Sequence, residues 1–268
     1  MPADDAVVAR TVLRATGDEA VIRRDPLVPG TFELTIGGTA QSHVDLGDPA
    51  NLFHDYVRRI GTVIDRFRMP GSPVTAVHLG AGALTLPRYV QATRPTSVQH
   101  VAELADDLVP FVLRSLPLPA GTRLHVHPGD AARTVSTLPK RQADLVVSDL
   151  YRGTTTPPHL RTPAFFRALA DLLAPNGLLV VNVADDDGLP ALRSQLAALE
   201  KAFGELIVFG PASVVTDARA GNAVIVASSA PRPGNHPELA GLATELRGAG
   251  PHPAAVVHSD DPAFAELR

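Results

Sequence analysis

Three acidic residues each follow an apolar run in this sequence. Glu103 ends the segment SVQHVAE, Asp130 comes two residues after RLHVHP, and Asp149 directly follows ADLVVS. Carboxylates at the ends of parallel strands meet at one edge of a sheet, where they can hold hydroxyls or amines, or orient and deprotonate a nucleophile. Each acid also has a purely structural interpretation as a solvated strand end or a helix cap. For Asp130, capping and ligand binding are compatible.

A glycine turn precedes these acids. In AVHLGAGALTLPR an apolar strand stops at Gly80-Ala81-Gly82 and a helix begins. We expect backbone N–H groups to remain free at this turn and to cradle the polar part of a nucleotide-like ligand. Glu103 lies roughly 20 residues further on, the spacing at which a carboxylate binds ribose hydroxyls. The alternative is a tight turn that needs glycine only for its positive φ.

Other candidates flank the predicted pocket. Tyr151 and Arg152 follow Asp149, and His54, Tyr56 and His159 lie near its edges, although Tyr56 fits a core stripe equally well. We expect no metal site, because the histidines lack a metal-ligand spacing. The sequence contains neither GxSxG nor GxxxxGK. A nicotinamide dehydrogenase is a remote alternative, since the turn lacks the third glycine of GxGxxG.

The elements that position these residues alternate regularly. Five strand–helix pairs run from VTAVHLG to the helix LPALRSQLAALEKAF, which predicts an α/β fold with a mostly parallel sheet and right-handed crossovers. ELIVFGP and NAVIVASS follow without room for a helix, so we expect an antiparallel pair that completes a seven-stranded sheet. The segment from Pro49 to Phe67 predicts a helix capped by Asp48.

Three segments are predicted along the chain. Residues 1–48 carry short alternating runs and predict a small β domain with two or three antiparallel strands. Residues 49–230 form the Rossmann-like domain. Residues 231–268 are rich in Pro and Gly and predict a peripheral, partly mobile tail around one short helix.

Composition excludes several classes of function. The chain has 268 residues, 45% of them apolar, with a net charge of −4 and no cysteine. Disulfides, thiolate metal sites and cysteine nucleophiles are therefore absent. No run of Lys or Arg suggests a nucleic-acid or membrane surface. The acidic N-terminus is unlike a signal peptide, so we expect a cytoplasmic protein that acts on a small molecule.

From about residue 19 to residue 229 the chain resembles the spermidine synthase family of aminopropyltransferases. Seven segments carry the resemblance: IGGTAQS, LGAGALTLPRY, AELADDLVPFVLRSLPLP, HPGDAA, DLVVSDL, HLRTPAFFRAL and APNGLLVVNV. It implies a small N-terminal β domain, a class I methyltransferase-like domain and a homodimer or tetramer that associates through the N-terminal part. The resemblance places S-adenosylmethionine or decarboxylated S-adenosylmethionine at a set of cofactor residues: Gln41, Gly80, Ala81, Gly82, Glu103, Asp130 and Ala131. Asp149 matches the catalytic acid, with Tyr151 beside it.

The chain departs from the family pattern at three charged positions. Ala83 stands where the family has an acid that pairs with the cofactor ammonium, Ala105 replaces one acid of a pair, and Arg152 replaces the second acid of DxxD. Arg152 repels a diamine and suits a carboxylate or phosphate. We therefore leave the acceptor open, with Tyr56, Arg152 and His159 as its candidate contacts. The alternative function is a catalytically silent binding or scaffold protein.

Overall fold

Two β-sheets organise the residues that the computed structural model describes, which are 6–151, 155–228, 241–249 and 253–268. The first is a four-stranded antiparallel sheet in chain order: β1 (Val7–Val12), β2 (Glu19–Arg24), β3 (Thr31–Ile36) and β4 (Thr39–Asp45). The sequence predicted two or three strands here, and the additional one is β1, whose alternating VVARTV pairs with β2.

The second sheet has eight strands among the described residues. They are β5 (Thr75–Leu79), β6 (Val98–Glu103), β7 (Arg123–Pro128), β8 (Ala143–Ser148), β9 (Leu173–Asp185), β10 (Glu205–Gly210), β11 (Gly221–Ser228) and β12 (Ala255–His258). Their order is β12-β10-β11-β9-β8-β5-β6-β7. The five strands from β9 to β7 in this order are mutually parallel, while β11 runs antiparallel to both β9 and β10. The α/β fold class is confirmed.

Most of the described helices connect strands of the larger sheet. They are α1 (Asp55–Arg66), α2 (Thr85–Thr93), α3 (Leu108–Ser115), α4 (Ala131–Thr137), α5 (Pro163–Leu172), α6 (Pro190–Leu199), α7 (Ala212–Val215) and α8 (Leu242–Gly248), with 3-10 turns at Pro158–Arg161 and Pro262–Leu267. No helix of the described residues has the length and apolar character needed to cross a membrane.

The inner parallel strands are buried on both faces, whereas β7 at the edge of the sheet is largely exposed. Val146 of β8 packs into one apolar cluster with Val77, whereas its neighbours Leu145 and Val147 pack into the cluster on the opposite face. This explains why ADLVVS reads as a continuous apolar run rather than an alternating one. The smaller sheet has its own cluster, in which Leu34 packs with residues of α3.

Three details differ from the prediction. The helix expected from Pro49 begins only at Asp55, because Asp48 accepts a hydrogen bond from the Ala50 N–H (3.1 Å) and so forms a turn instead of a cap. The short helix α7 lies between β10 and β11. The sheet has eight strands rather than seven, because β12 comes from the segment predicted to be a peripheral tail and pairs with β10.

Candidate active site

The turn after β5 requires glycine at two positions. Gly80 has φ +95° and Gly82 has φ +48°, values that side-chain-bearing residues rarely adopt. A Cβ at Gly80 would overlap the carbonyl oxygen of Asp149, and one at Gly82 would overlap the Ser42 hydroxyl. The turn therefore packs tightly between the end of β8 and the small N-terminal sheet.

Most N–H groups of this turn are not free, contrary to the prediction. Gly80 N donates to the carbonyl of Ala102 (2.9 Å), and Leu84 N donates to the carbonyl of Ala81 (2.8 Å). Ala81 N donates to Glu103 Oε2 (3.0 Å), and the buried Ala83 N donates to Ser42 Oγ (3.0 Å). Because the protein's own acceptors occupy these donors, the turn offers little to a phosphate group. A ligand without phosphate fits it better.

Glu103 ends β6, the strand beside the one that leads into the glycine turn. Its two carboxylate oxygens accept from the N–H groups of Ala81 (3.0 Å) and Ala105 (2.9 Å), and its own carbonyl accepts from Gly129 N (2.7 Å). Burial raises the pKa of Glu103 above its ordinary value, and the backbone hydrogen bonds only partly offset that rise. Each oxygen keeps a further lone pair, so the carboxylate can also accept hydrogen bonds from ligand hydroxyls.

Asp130 is the N-cap of α4, whose first residue is the buried Ala131. Its Oδ1 accepts from Ala132 N (2.9 Å), and its Oδ2 lies 2.7 Å from His159 Nε2. Burial raises the pKa of Asp130, but the hydrogen bonds from His159 and from the helix N–H groups outweigh it and lower the pKa overall. His159 therefore contacts the β7–α4 loop, on the predicted cofactor side of the edge.

Asp149 is held by two side-chain donors. Asn182 Nδ2 donates to Oδ1 (2.8 Å), while the Tyr56 hydroxyl lies 3.5 Å from Oδ2, at the outer limit of a hydrogen bond. The Asp149 backbone N donates to the Leu79 carbonyl (3.0 Å), which joins the end of β8 to the glycine turn. Burial raises the pKa of Asp149, and the two donors lower it only in part. A carboxylate with a raised pKa is a better proton acceptor.

The two tyrosines beside Asp149 differ in their contacts. The Tyr151 hydroxyl donates to the Asn182 carbonyl (3.0 Å) and accepts from Ala184 N, so both of its hydrogen-bonding functions are used by β9. The Tyr56 hydroxyl faces the carboxylate itself. Burial, and then the charge of Asp149, raise the pKa of both phenols, which therefore stay protonated at neutral pH. His54 stacks on Tyr56 with ring centroids 6.0 Å apart.

The small sheet reaches the site through β4. Leu34 pairs with Ser42 and Thr35 pairs with Ala40, which makes Gln41 the extra residue of a β-bulge. Bulges redirect side chains and often lie beside active sites. The next residue is Ser42, which bonds the glycine turn.

Sequence reasoning missed Ser42, Asn182 and Asn222. Asn222 Nδ2 donates to Asn182 Oδ1 (3.1 Å), so a chain of side chains runs from Asp149 across β9 to β11. The available signal was asparagine inside the apolar runs GLLVVNVA and NAVIVASS, where strands rarely carry it.

The sequence also predicted that Arg152 contacts the acceptor and that the protein has no metal site. Arg152 lies outside the described residues. Among the residues that the structure does describe, no group of three or more His, Asp or Glu side chains is arranged to hold a metal ion.

No family model and no curated protein matches the sequence. Among solved structures, the chain is similar to a probable spermidine synthase from Corynebacterium glutamicum ATCC 13032, with 26% identity over 92% of this chain and 89% of that chain and a TM-score of 0.81. The chain is a divergent spermidine synthase-like protein.

More distant structures share the fold of this spermidine synthase-like protein. A spermidine synthase in complex with the transition state analogue AdoDATO has 14% identity and a TM-score of 0.63, covering 93% of this chain and 81% of its own. Human methyltransferase-like protein 13 in complex with SAH has 19% identity and a TM-score of 0.54, covering 71% of this chain and 87% of its own. The larger sheet with its helices is therefore class I methyltransferase-like, a fold of aminopropyl- and methyltransferases.

Proposed function

We propose that this protein is a transferase that binds S-adenosylmethionine or decarboxylated S-adenosylmethionine and passes an alkyl group, aminopropyl or methyl, to a small-molecule acceptor. The observation that supports it best is the junction of the glycine turn with two acids. Glu103 bonds Ala81 of the turn, and Asp149 contacts Gly80 from the other side. The ligands named with the similar structures, AdoDATO and SAH, support an adenosyl-type cofactor.

The cofactor residues fit such a ligand. Glu103 would accept hydrogen bonds from the ribose hydroxyls, and Asp130 with Ala131 would contact the base. Gln41 would reach the same ligand from the β4 bulge. The occupied N–H groups of the turn suit a sulfonium better than a pyrophosphate, because the protein's own acceptors already use most of the donors that an anion would need. When bound, this cofactor supplies an alkyl carbon that is already activated for displacement.

The acceptor residues prepare the nucleophile. Asp149 accepts a hydrogen bond from the acceptor, orients its lone pair and takes the proton that the acceptor loses on alkylation. The raised pKa of Asp149 favours that transfer. Tyr56 holds the second carboxylate oxygen. Tyr151 acts through β9, since its hydroxyl is already bound there.

Calorimetry tests this proposal. We expect one of the two cofactors to bind at submillimolar concentration, and Glu103→Ala to weaken that binding by about 1–3 kcal/mol, the range for losing charge-assisted hydrogen bonds. Glu200→Ala is the matched control, because Glu200 forms a surface ion pair with Arg268. Failure of both cofactors to bind contradicts the proposal.

The second candidate is a silent binding protein of the same fold. It is favoured by Ala83 and Ala105, which are buried and uncharged at positions where the family carries acids. Acceptor screening by mass spectrometry separates the two functions. Alkylation of any amine, carboxylate or phosphate compound that Asp149→Asn abolishes supports the transferase, whereas cofactor binding without turnover supports the silent protein.

We also propose a homodimer formed through the small N-terminal sheet, as the family resemblance implies. Val12 on the edge strand β1 and Leu27 in the β2–β3 loop are 62% and 86% exposed. Val12→Asp should shift the mass measured by light scattering towards the monomer. Met69→Asp, which alters an exposed residue outside that sheet, is the control. A monomeric wild-type protein contradicts this proposal.

A further inference from the structure

Two asparagines continue the candidate site beyond Asp149. Asn182 lies on β9 and donates its Nδ2 to Asp149 Oδ1 at 2.8 Å. Asn222 lies on β11 and donates its own Nδ2 to Asn182 Oδ1 at 3.1 Å. Asn182 is only 3% exposed. We call Asn182 and Asn222 the asparagine relay.

The relay has a direction. A side-chain amide presents a donor at one end and an acceptor at the other, whereas an ionised carboxylate only accepts. Because ionised Asp149 requires a donor, the NH₂ group of Asn182 turns towards it, and the Asn182 oxygen is left to accept from Asn222 Nδ2. Without Asn222, the Asn182 amide could turn over and present its oxygen to Asp149, an arrangement that suits only a protonated carboxyl group.

We propose that Asn182 and Asn222 are positioning residues that fix the orientation of Asp149 and hold it in its ionised, proton-accepting form. The inference deepens the proposed function, since it rests on Asp149 as the group that receives the acceptor's proton. Asn182 acts on Asp149 directly. Asn222, on the next strand of the sheet, acts only through Asn182.

The other groups around Asp149 do little to favour its ionised form, so the hydrogen bond from Asn182 matters most. The other titratable groups that act on its carboxylate among the described residues are the hydroxyls of Tyr56 on α1 and Tyr151 in the segment after β8, both neutral phenols. Tyr56 lies 3.5 Å away and is the weaker donor, and Tyr151 is bound to β9. Burial favours the protonated acid. The Asn182 amide is therefore the principal group that favours the carboxylate.

The test titrates Asp149 in the unliganded full-length protein. Aspartate is labelled with ¹³C at the carboxyl carbon, and the Asp149 signal is assigned by its loss in Asp149→Asn. We expect Asn182→Ala to move the titration midpoint upwards by about one pH unit or more, as expected for losing a hydrogen bond to the charged form. Asn222→Ala should move it in the same direction by a smaller amount.

A double-mutant cycle tests the route of the effect. If Asn222 acts through Asn182, adding Asn222→Ala to Asn182→Ala produces no further shift, because the intermediate amide is already gone. Asn51→Ala is the matched control, since Asn51 also donates to an aspartate, Asp45 (3.0 Å), but outside the site. It should leave the Asp149 midpoint unchanged. If Asn182→Ala does not fold, Asn182→Leu replaces it.

Each outcome decides the proposal. An unchanged midpoint in the Asn182 variant, or an independent, additive shift from Asn222→Ala, overturns the relay. The titration needs neither cofactor nor acceptor, so a failed relay is distinguishable from a failed transferase, which appears as absent cofactor binding in calorimetry. Once an acceptor is known, the acid limb of the kcat profile should shift with the same variants.

Discussion

Gly80 and the backbone carbonyl of Asp149 are so close that no side chain fits between them, since a Cβ at Gly80 would overlap the Asp149 oxygen. Leu79, the residue before Gly80, accepts a hydrogen bond from Asp149 N at 3.0 Å. The end of β5 and the end of β8 are therefore joined directly. This contact fixes the distance between the glycine turn and the candidate catalytic acid.

Replacement of Gly80 by alanine should therefore lower the free energy of unfolding by more than the cost of a positive φ alone. Gly80→Ala combines a positive φ with a collision, whereas Gly30→Ala, at φ +85° with open space around the added Cβ, carries the positive φ alone. We expect about 1–2 kcal/mol of lost unfolding free energy for Gly30→Ala. Gly80→Ala should lose about 1–3 kcal/mol more. Urea denaturation measures both, and equal losses would show that the close contact does not constrain the turn.

The hydrogen bond from the glycine turn to Ser42 of the small sheet should contribute both to the stability of the protein and to its affinity for the cofactor. Ser42→Ala leaves the buried N–H of Ala83 without its acceptor, which costs about 1–3 kcal/mol. Ser136→Ala is the control, because the Ser136 hydroxyl is exposed and bonds only its own helix. Urea denaturation measures the loss of stability, and calorimetry with the bound cofactor measures the loss of affinity. A Ser42 variant as stable as the Ser136 variant contradicts the link.

The sequence predicted the parallel part of the fold because its strands carry a strong local signal. ADLVVS and GLLVVNVA are continuous apolar runs, and each precedes an amphipathic segment. The helix after Asp48 was placed too early, because aspartate before proline serves equally as a helix cap or as the start of a turn. The strand β12 escaped prediction because its four residues are stabilised mainly by pairing with β10.

The contrast between local signals and long-range contacts also explains which features of the site could be predicted. Glu103, Asp130 and Asp149 were predicted because each follows a strand, and parallel strands place their ends together. The state of the turn was mispredicted because the acceptor for Ala81 N is a side chain 22 residues away. Asn182 and Asn222 were missed because their importance depends on contacts between strands that are far apart in the sequence.

Arg88 should be essential to stability although it lies outside the chemistry. It is 1% exposed and donates to the carbonyls of Ala83 (3.1 Å), Leu116 (2.5 Å) and Pro117 (2.6 Å), so it connects the glycine turn to the end of α3. Burial lowers its pKa to about 10, which leaves it charged at neutral pH.

Arg88→Met preserves the length of the side chain but leaves buried carbonyl oxygens unsatisfied, which should cost about 3 kcal/mol or more. Arg133→Met, at an exposed position of α4, should change stability by less than about 0.5 kcal/mol. Thermal and urea unfolding compare the two. Similar stability in both variants would show that the carbonyls find other donors.

His78 should make the protein sensitive to mild acid. It is 2% exposed on β5, its Nε2 lies 2.9 Å from Gln99 Oε1, and its Nδ1 is buried without a partner among the described residues. Burial lowers its pKa from 6.5 to about 4. Between these values the unfolded chain binds a proton that the folded chain does not, so stability falls as the pH drops from about 6.5 towards 4.

The full effect of His78 on the free energy of unfolding amounts to about 3 kcal/mol, since each unit by which the pKa is lowered corresponds to about 1.4 kcal/mol. Urea unfolding at a series of pH values measures it. His78→Gln should flatten the dependence between pH 6.5 and 4 by about this amount. His100 and His127, whose pKa values burial also lowers, contribute the same sign in both proteins and cancel in the comparison. His258→Gln on the edge strand β12 is the control. If His78→Gln leaves the pH dependence of stability unchanged, His78 gains a proton without loss of the fold.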